Sequence, residues 1–372
     1  MSATTGAPPR VRRVAVLGTG LIGGSIGLAL ARRSVEVVGF DASSERLERA
    51  RELGAVTKVA GSLADAVRGV DVAVVAVPVG HIGALATEAL AAGARVVTDV
   101  GSVKAPVVAA IVAACPDRAA HFVGGHPMAG SEQDGVDGAD PDLFVGASWV
   151  LTPTAATDPD AFTVVRSLVG MVGAEAIAVE PERHDALVAL VSHVPQLAAS
   201  TLMDVAGSAG EEHRTLMRLA AGGFRDMTRI AAGHPGIWPD ILSANRDAVL
   251  RALDDYVAAL GAVRTLVESG SRDGILDLLE RARRARRSLP VGTPPPEELV
   301  ELRIPVADRP GAIAEVTTLA GRLGINVFDF EIAHSGEGGS GVIVLVTAAT
   351  GVDELESGLV EIGYHVSRGA LT

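Results

Sequence analysis

The stretch that most constrains this chain runs from Arg13 to Asp41, where an apolar strand, a glycine-rich turn, a helix and a second strand lead to an acid. Val14 to Leu17 is a β-branched, apolar run of the kind a strand buried on both faces requires. Gly18, Gly20 and Gly23 follow at G-x-G-x-x-G spacing. The first allows a tight turn, the second lets backbone approach a pyrophosphate, and the third lets helix and strand close on each other. Leu21 and Ile22 open the helix, and Ile22, Ile26, Ala29 and Leu30 give it an apolar face. Its free N–H groups and the positive end of its dipole then point at the phosphates. The second strand, Val35 to Phe40, ends at Asp41, about twenty residues beyond the glycines. A carboxylate there accepts hydrogen bonds from an adenosine ribose and repels a 2′-phosphate. The stretch therefore predicts a Rossmann domain that binds NAD rather than NADP. Arg10, Arg12 and Arg13 ahead of about eighteen mostly apolar residues also fit a signal peptide or membrane helix. Five glycines interrupt that run, and the strand with its terminal acid follows at the dinucleotide-binding distance.

A chain of 372 residues predicts two or three domains. The net charge of −13 argues against nucleic acid or an anionic membrane as partner. Cys115 is the only cysteine, which excludes an intrachain disulfide and a thiolate metal cluster. No His, Asp or Glu grouping has zinc-site spacing, so no metal is expected. No other apolar run reads as long and uninterrupted enough to span a bilayer, and the expected location is the cytoplasm.

Residues 1–10 read as a disordered tail and 11–180 as the Rossmann domain. Ser43 or Ser44 caps a helix running to Leu53. Val70 to Val77, ended by Pro78, and Arg95 to Thr98 are further strands, and the loop Asp99-Val-Gly-Ser-Val-Lys104 follows. Ligands lie at the carboxyl ends of parallel strands, which places Val77, Pro78, Asp99, Gly101 and Ser102 beside the nicotinamide half of the cofactor. His126 follows a short strand and is expected at the same edge. Ser148 to Thr152 and Ala174 to Val179 read as strands with a helix between them. From Glu182 to Ser288 nearly everything is helical, predicting an all-helical domain over 181–288. A proline-rich linker covers 289–298. Strand, helix, strand, strand, helix and a last strand at Tyr364 to Ser367 then give a small α+β ferredoxin-like unit over 299–372.

Four constellations carry chemistry. A neutral His126, with Ser102 nearby, can take a proton from a substrate hydroxyl as hydride leaves for NAD, or it can be a solvent-facing loop histidine. His193, in Ser192-His-Val-Pro-Gln196, with His184-Asp185 two turns earlier, is a second candidate or a set of polar helix-end residues. Arg229 is costly to bury unpaired, so it either pairs with Asp226, three residues back, or meets an anionic ligand. Asp308-Arg-Pro-Gly311 opens a helix whose free N–H groups can hold an amino acid's carboxylate, or is simply a turn.

With these residues in hand, the chain resembles the prephenate and arogenate dehydrogenases of tyrosine biosynthesis. The resemblance spans about Val11 to Leu289. It rests on Gly18-Thr-Gly-Leu-Ile-Gly-Gly-Ser25, Asp99-Val-Gly-Ser-Val-Lys104, Gly125-His-Pro-Met-Ala-Gly-Ser-Glu132, Ser192-His-Val-Pro195 and Gly223-Phe-Arg-Asp-Met-Thr-Arg-Ile230. Residues 299–372 resemble an ACT ligand-sensing domain through Asp308-Arg-Pro-Gly311 and Gly324-Ile-Asn-Val327. The resemblance implies that His126 is the base and that Ser102 helps hold the substrate hydroxyl. It implies that Arg229 binds a substrate carboxylate beside Asp226, that Glu132 lies at the pocket entrance, and that His193 is a second pocket histidine. It also implies a homodimer through the helical domain. Many prephenate-using members carry His where this chain has Gln196, so prephenate and arogenate both stay open as substrate. For the ACT-like unit, Pro310, Gly311 and Asn326 are the candidate effector-binding residues, with tyrosine as first candidate effector. Other Rossmann-plus-helical dehydrogenases use a lysine or another acid on the first helix of the second domain, and no lysine follows Lys104, which excludes a lysine base there. A non-catalytic sensor of NAD and amino acids would leave His126, Ser102 and Arg229 unexplained.

Overall fold

The computed structural model describes residues 11–131, 133, 135–208, 222–233, 235–287, 299–307, 309–334 and 340–369. The predicted tail and linker, Glu132 and Asp308 lie outside these residues. The chain divides into two compact units, Met1–Gly261 and Ala262–Thr372.

The first unit is built on eight strands: β1 (Arg13–Leu17), β2 (Glu36–Phe40), β3 (Lys58–Val59), β4 (Val72–Val75), β5 (Val97–Asp99), β6 (Phe122–Pro127), β7 (Ser148–Thr152) and β8 (Glu175–Ala178). Their order is β3-β2-β1-β4-β5-β6-β7-β8. The first six are parallel, β7 is antiparallel to β6, and β8 is parallel to β7. Successive β1 side chains supply opposite cores. Val14 and Val16 face the helices α1 (Leu21–Ala31), α2 (Ser44–Glu52) and α6 (Pro159–Met171) through Ile26, Leu47 and Val165. Ala15 and Leu17 face α3 (Leu63–Val67), α4 (Val79–Ala91) and α5 (Ala105–Ala114) through Leu63, Ile82 and Ile111. A sheet covered on both faces needs apolar residues at every position, which is why β1 reads as an unbroken run. Ser43 is the residue that caps α2, its hydroxyl accepting from Arg46 N at 3.2 Å.

Strand β4 ends at Val75, not Val77, because the chain is already entering α4, whose N-cap is Pro78, a residue with no N–H to give a ladder. The helices that follow, as far as Gly261, share this unit with the sheet. They comprise α7 (Pro181–Val188), a π-helical turn (Ala189–His193), α8 (Val194–Gly207), α9 (Gly222–Thr228), a 3₁₀ turn (Arg229–Ala232), α10 (Trp238–Ala244) and most of α11 (Arg246–Glu268). Contrary to the sequence expectation, Pro181–Gly207 is long and apolar enough to cross a bilayer. Within it His184, Asp185 and His193 are buried against the rest of the first unit, each hydrogen-bonded to neighbours.

The second unit contains α12 (Arg272–Arg287) and a four-stranded antiparallel sheet of order β10-β11-β9-β12. Its chain order is β9 (Leu299–Ala307), α13 (Ala312–Arg322), β10 (Val327–His334), β11 (Ser340–Ala348), α14 (Val352–Glu361) and β12 (Ser367–Gly369), which is the ferredoxin-like βαββαβ path. Leu302, Ile304 and Val306 alternate inward on β9 against Val316 of α13 and Leu355 of α14. The last strand begins at Ser367, later than expected. Tyr364 is drawn into the helix end and onto Glu315, its N–H donating to Leu359 O and its hydroxyl to Glu315 Oε2 at 2.6 Å.

Candidate active site

Each glycine of the first turn meets a different constraint. Gly18 has φ +100°, and a Cβ there would lie 2.3 Å from Ala76 O. A Cβ on Gly23 would lie 2.0 Å from Gly18 O, so helix and strand close only around glycine. A Cβ on Gly20 would meet nothing of the protein within 4 Å. Its missing side chain therefore leaves open space at the N-terminus of the eleven-residue α1, as a pyrophosphate site demands. The turn fits a dinucleotide. Leu21 and Ile22 form the first turn of α1. Asp41 ends the second strand with its carboxylate held in place. Its Oδ2 accepts from Thr19 N at 2.7 Å, and its Oδ1 accepts from Ser43 N at 2.9 Å, with Arg46 Nη1 at 3.4 Å.

At the same edge, Val77 and Pro78 form the turn into α4, Gly101 and Ser102 lie half-buried between β5 and α5, and His126 ends β6. Because β1, β4, β5 and β6 are parallel, their carboxyl ends share one edge, and His126 stands three strands from the glycine turn, about 14 Å away. Asp99 corrects the sequence reading. Its side chain is fully buried and turned into the sheet, where it accepts from Gly101 N at 2.9 Å, Gly125 N at 3.1 Å and the Lys104 ammonium. Its carboxylate is unavailable to a cofactor. Lys104, also fully buried, donates in addition to Gly125 O at 2.8 Å, and burial pulls its pKa down against the opposing pull of Asp99. Gly124 and Gly125 are needed here. A Cβ on Gly124 would strike Thr152 Oγ1 at 2.3 Å, and one on Gly125 would strike Asp99 O at 2.6 Å. The backbone just before His126 thus rests on a buried ion pair.

His126 itself is half-buried. Its Nδ1 lies 2.9 Å from His184 Nε2, and His184 Nδ1 lies 2.8 Å from Asp185 Oδ1. Asp185 also accepts from Lys104 N and Ala105 N, both at 2.8 Å, which pins α7 to the start of α5. Burial first, and then the charge of Lys104 with smaller contributions from His184 and His193, hold the His126 pKa well below the usual histidine range. His126 is therefore neutral, and able to accept a proton, at neutral pH. His193 is buried as well. Its Nδ1 is 3.3 Å from Asn245 Nδ2, which donates to Asp185 O at 2.8 Å, and desolvation lowers its pKa. Nine residues of α-helix would put His184 and His193 on opposite faces, about 180° apart. The π turn between them reduces that to about a quarter turn. The sequence groups His184 and Asp185 with His193 and not with His126, and neither the π turn nor Asn245 leaves a periodic signal.

The remaining candidates are spread more widely. Ser102 makes no hydrogen bond among the described residues. Gln196 Nε2 donates to Ser200 Oγ at 3.3 Å along its own helix. Asp226 and Arg229 are both exposed, and among the described residues neither has an ion-pair partner. The internal-pair alternative for Arg229 is therefore not realised. In the second unit, Gly311 adopts φ +92° as it opens α13, next to exposed Pro310, and Asn326 O accepts from Thr347 Oγ1 at 2.9 Å. Among the described residues no three His, Cys, Asp or Glu side chains converge as a metal site.

A doubly wound sheet with strand order 3-2-1-4-5-6, a glycine turn at its switch point and a neutral histidine at the same edge define an NAD-dependent dehydrogenase. Comparison with known proteins gives the family. The nucleotide-binding domain model of prephenate dehydrogenase matches residues 26–178, and its dimerization domain model matches residues 180–281. The chain is 33% identical over 338 residues to the prephenate dehydrogenase of Bacillus subtilis, covering 89% of this chain and 90% of that one. It is also 33% identical over 283 residues to the cyclohexadienyl dehydrogenase of Zymomonas mobilis, covering 75% and 96%. Among solved structures it resembles prephenate dehydrogenase from Aquifex aeolicus in complex with hydroxyphenyl propionate and NAD+, at a TM-score of 0.69 and 28% identity over 76% of this chain and all of that one. Synechocystis arogenate dehydrogenase gives a TM-score of 0.66 at 29% identity, over 74% and 98%. The chain belongs to the prephenate dehydrogenase family.

Proposed function

We propose that this protein oxidatively decarboxylates prephenate to 4-hydroxyphenylpyruvate in tyrosine biosynthesis, with arogenate as the alternative substrate. The observation that carries this reading is His126, a neutral imidazole at the carboxyl edge of the sheet that holds the dinucleotide turn. Bound NAD supplies the hydride acceptor. His126 Nε2 takes the proton of the ring hydroxyl, and Ser102 on the neighbouring loop helps hold that hydroxyl. Loss of the ring carboxylate as CO₂ makes the ring aromatic and the step irreversible. Arg229, exposed and without an ion-pair partner among the described residues, grips a substrate carboxylate with Asp226 beside it, while His193 and Gln196 line the pocket. Gln196, uncharged, suits either the keto acid of prephenate or the amino acid of arogenate. Asp41, with Thr19 and Ser43 fixing its carboxylate, favours NAD over NADP.

The enzyme works as a cytoplasmic homodimer. Leu190, Val191, Val205 and Val257 are each more than half exposed on the helices of the first unit, more apolar surface than a monomer's small helical core accounts for. The second unit acts as an ACT-type sensor of tyrosine through Pro310, Gly311 and Asn326. The test of the chemistry is His126→Asn, which keeps size and hydrogen bonding but removes the base. The expected outcome is a fall in kcat of about 10²- to 10⁴-fold with KM little changed. A variant that keeps more than half of the normal kcat would remove His126 from the mechanism.

A further inference from the structure

His184 stands one hydrogen bond behind His126 and one in front of Asp185, and the bonds at the far end set which His184 nitrogen carries a hydrogen. Asp185 Oδ1 accepts from Lys104 N and Oδ2 from Ala105 N, so two backbone N–H groups at the start of α5 hold an ionised carboxylate that can only accept. His184 Nδ1, 2.8 Å from Oδ1, must therefore carry a hydrogen. In the form that carries a single proton, His184 then offers a lone pair at Nε2. The 2.9 Å contact from Nε2 to His126 Nδ1 is a hydrogen bond only if His126 Nδ1 carries its proton. That leaves the second nitrogen of His126, Nε2, bare. His184 is 1% exposed and Asp185 4%, so water does not compete for these bonds. The two rings meet edge to face at 74°, with centroids 5.1 Å apart.

We propose that His184 is the positioning residue of the proton transfer. It locks His126 in the Nδ1–H form with Nε2 presented to the substrate, and it accepts the shared Nδ1 proton more strongly once Nε2 has been protonated. The inference rests on the reading of His126 as base. The balance is simple. One proton leaves the substrate oxygen for His126 Nε2, no bond to Nδ1 breaks, and the positive charge spreads through His184 toward the Asp185 carboxylate. The other charged or titratable groups facing this pair are Lys104, Asp99 behind it, and His193. Lys104 and the buried setting disfavour a second proton on His126, so the acceptor at His184 is what makes the transfer tolerable.

Nitrogen NMR of the full chain, with the histidines assigned by single substitutions, reads the tautomer without any turnover. The expected spectrum shows His126 protonated at Nδ1 and bare at Nε2, with His184 also protonated at Nδ1. His126 in the Nε2–H form would overturn the proposal. Two variants read the same role in catalysis. His184→Phe removes the acceptor and should lower kcat by about ten- to a hundredfold, as loss of an orienting partner of a functional histidine does. KM should stay near normal. In His184→Gln the amide oxygen takes the place of Nε2 as acceptor, so most of kcat should return. Equal loss in both variants accompanied by a lowered Tm, or no loss in either, would overturn the role. If His126→Asn is inactive while His184→Phe is fully active, only the positioning role falls. If His126→Asn is active, the base assignment itself falls.

Discussion

At the scale of single residues, the site depends as much on atoms that are missing as on those present. Gly18, Gly20 and Gly23 look alike in the sequence, yet the first is fixed by its φ, the third by packing and the second by the ligand alone. Gly20→Ala should therefore fold normally and melt within a degree or two of the parent, as exposed substitutions do. Its NAD dissociation constant should rise by about tenfold or more, or ~1.4 kcal/mol. Gly18→Ala should instead lose roughly 1–3 kcal/mol or more of stability from backbone strain. Melting curves with an NAD titration separate the two, and a Gly20→Ala protein that binds NAD normally would contradict the phosphate assignment. The glycine turn, Asp41 and His126 were legible because their signals are local. Asp99 was misread because its place at a strand end says nothing of which way its side chain turns. The fold needed its carboxylate for Lys104. Lys104, one of only two lysines, and the paired Gly124-Gly125 were the available hints. His184 escaped because 58 residues separate it from His126, and only the fold joins them.

At the scale of elements, the strands and helices of the dinucleotide half follow from apolar runs and capping, and the errors fall at element ends, as at Val75 and Ser367. The π turn at Ala189–His193 has no sequence period to announce it, although it aims two histidines at one region. In the second unit the βαββαβ order was readable from spacing. The Arg309–Glu315–Tyr364 cluster was not. Two guanidinium hydrogen bonds, at 2.9 and 2.6 Å, and the tyrosine hydroxyl draw the Glu315 pKa down to about 2, tying the start of α13 to Tyr364, just beyond α14. This cluster stands beside Pro310 and Gly311, the proposed effector residues. Calorimetry of the full chain with tyrosine should show saturable heat that is retained when the active site is filled with product. Coupling of about 1–3 kcal/mol to substrate binding is expected, five- to a hundred-and-fiftyfold in affinity. No heat with tyrosine, phenylalanine or tryptophan under those conditions would contradict the sensor reading.

At the scale of the whole molecule, the first unit holds every residue assigned to hydride and proton chemistry, and the second unit has a core of its own. The likeness to the Bacillus subtilis relative covers 89% of the chain, more than residues 1–298 contain, so it reaches into the second unit. Domain order was legible from composition and from the change in periodicity after residue 180. That the helices as far as Gly261 share a unit with the sheet was not, because the contacts that join them are single side chains such as Asp185 on Lys104 N. The central claim is that these parts together oxidise a cyclohexadienyl acid with NAD. Its most direct test is the initial rate of NADH formation by the full chain, with prephenate and with arogenate side by side. Prephenate should give NADH and CO₂ in equal amounts, with arogenate slower or comparable. NADH from neither substrate would contradict it.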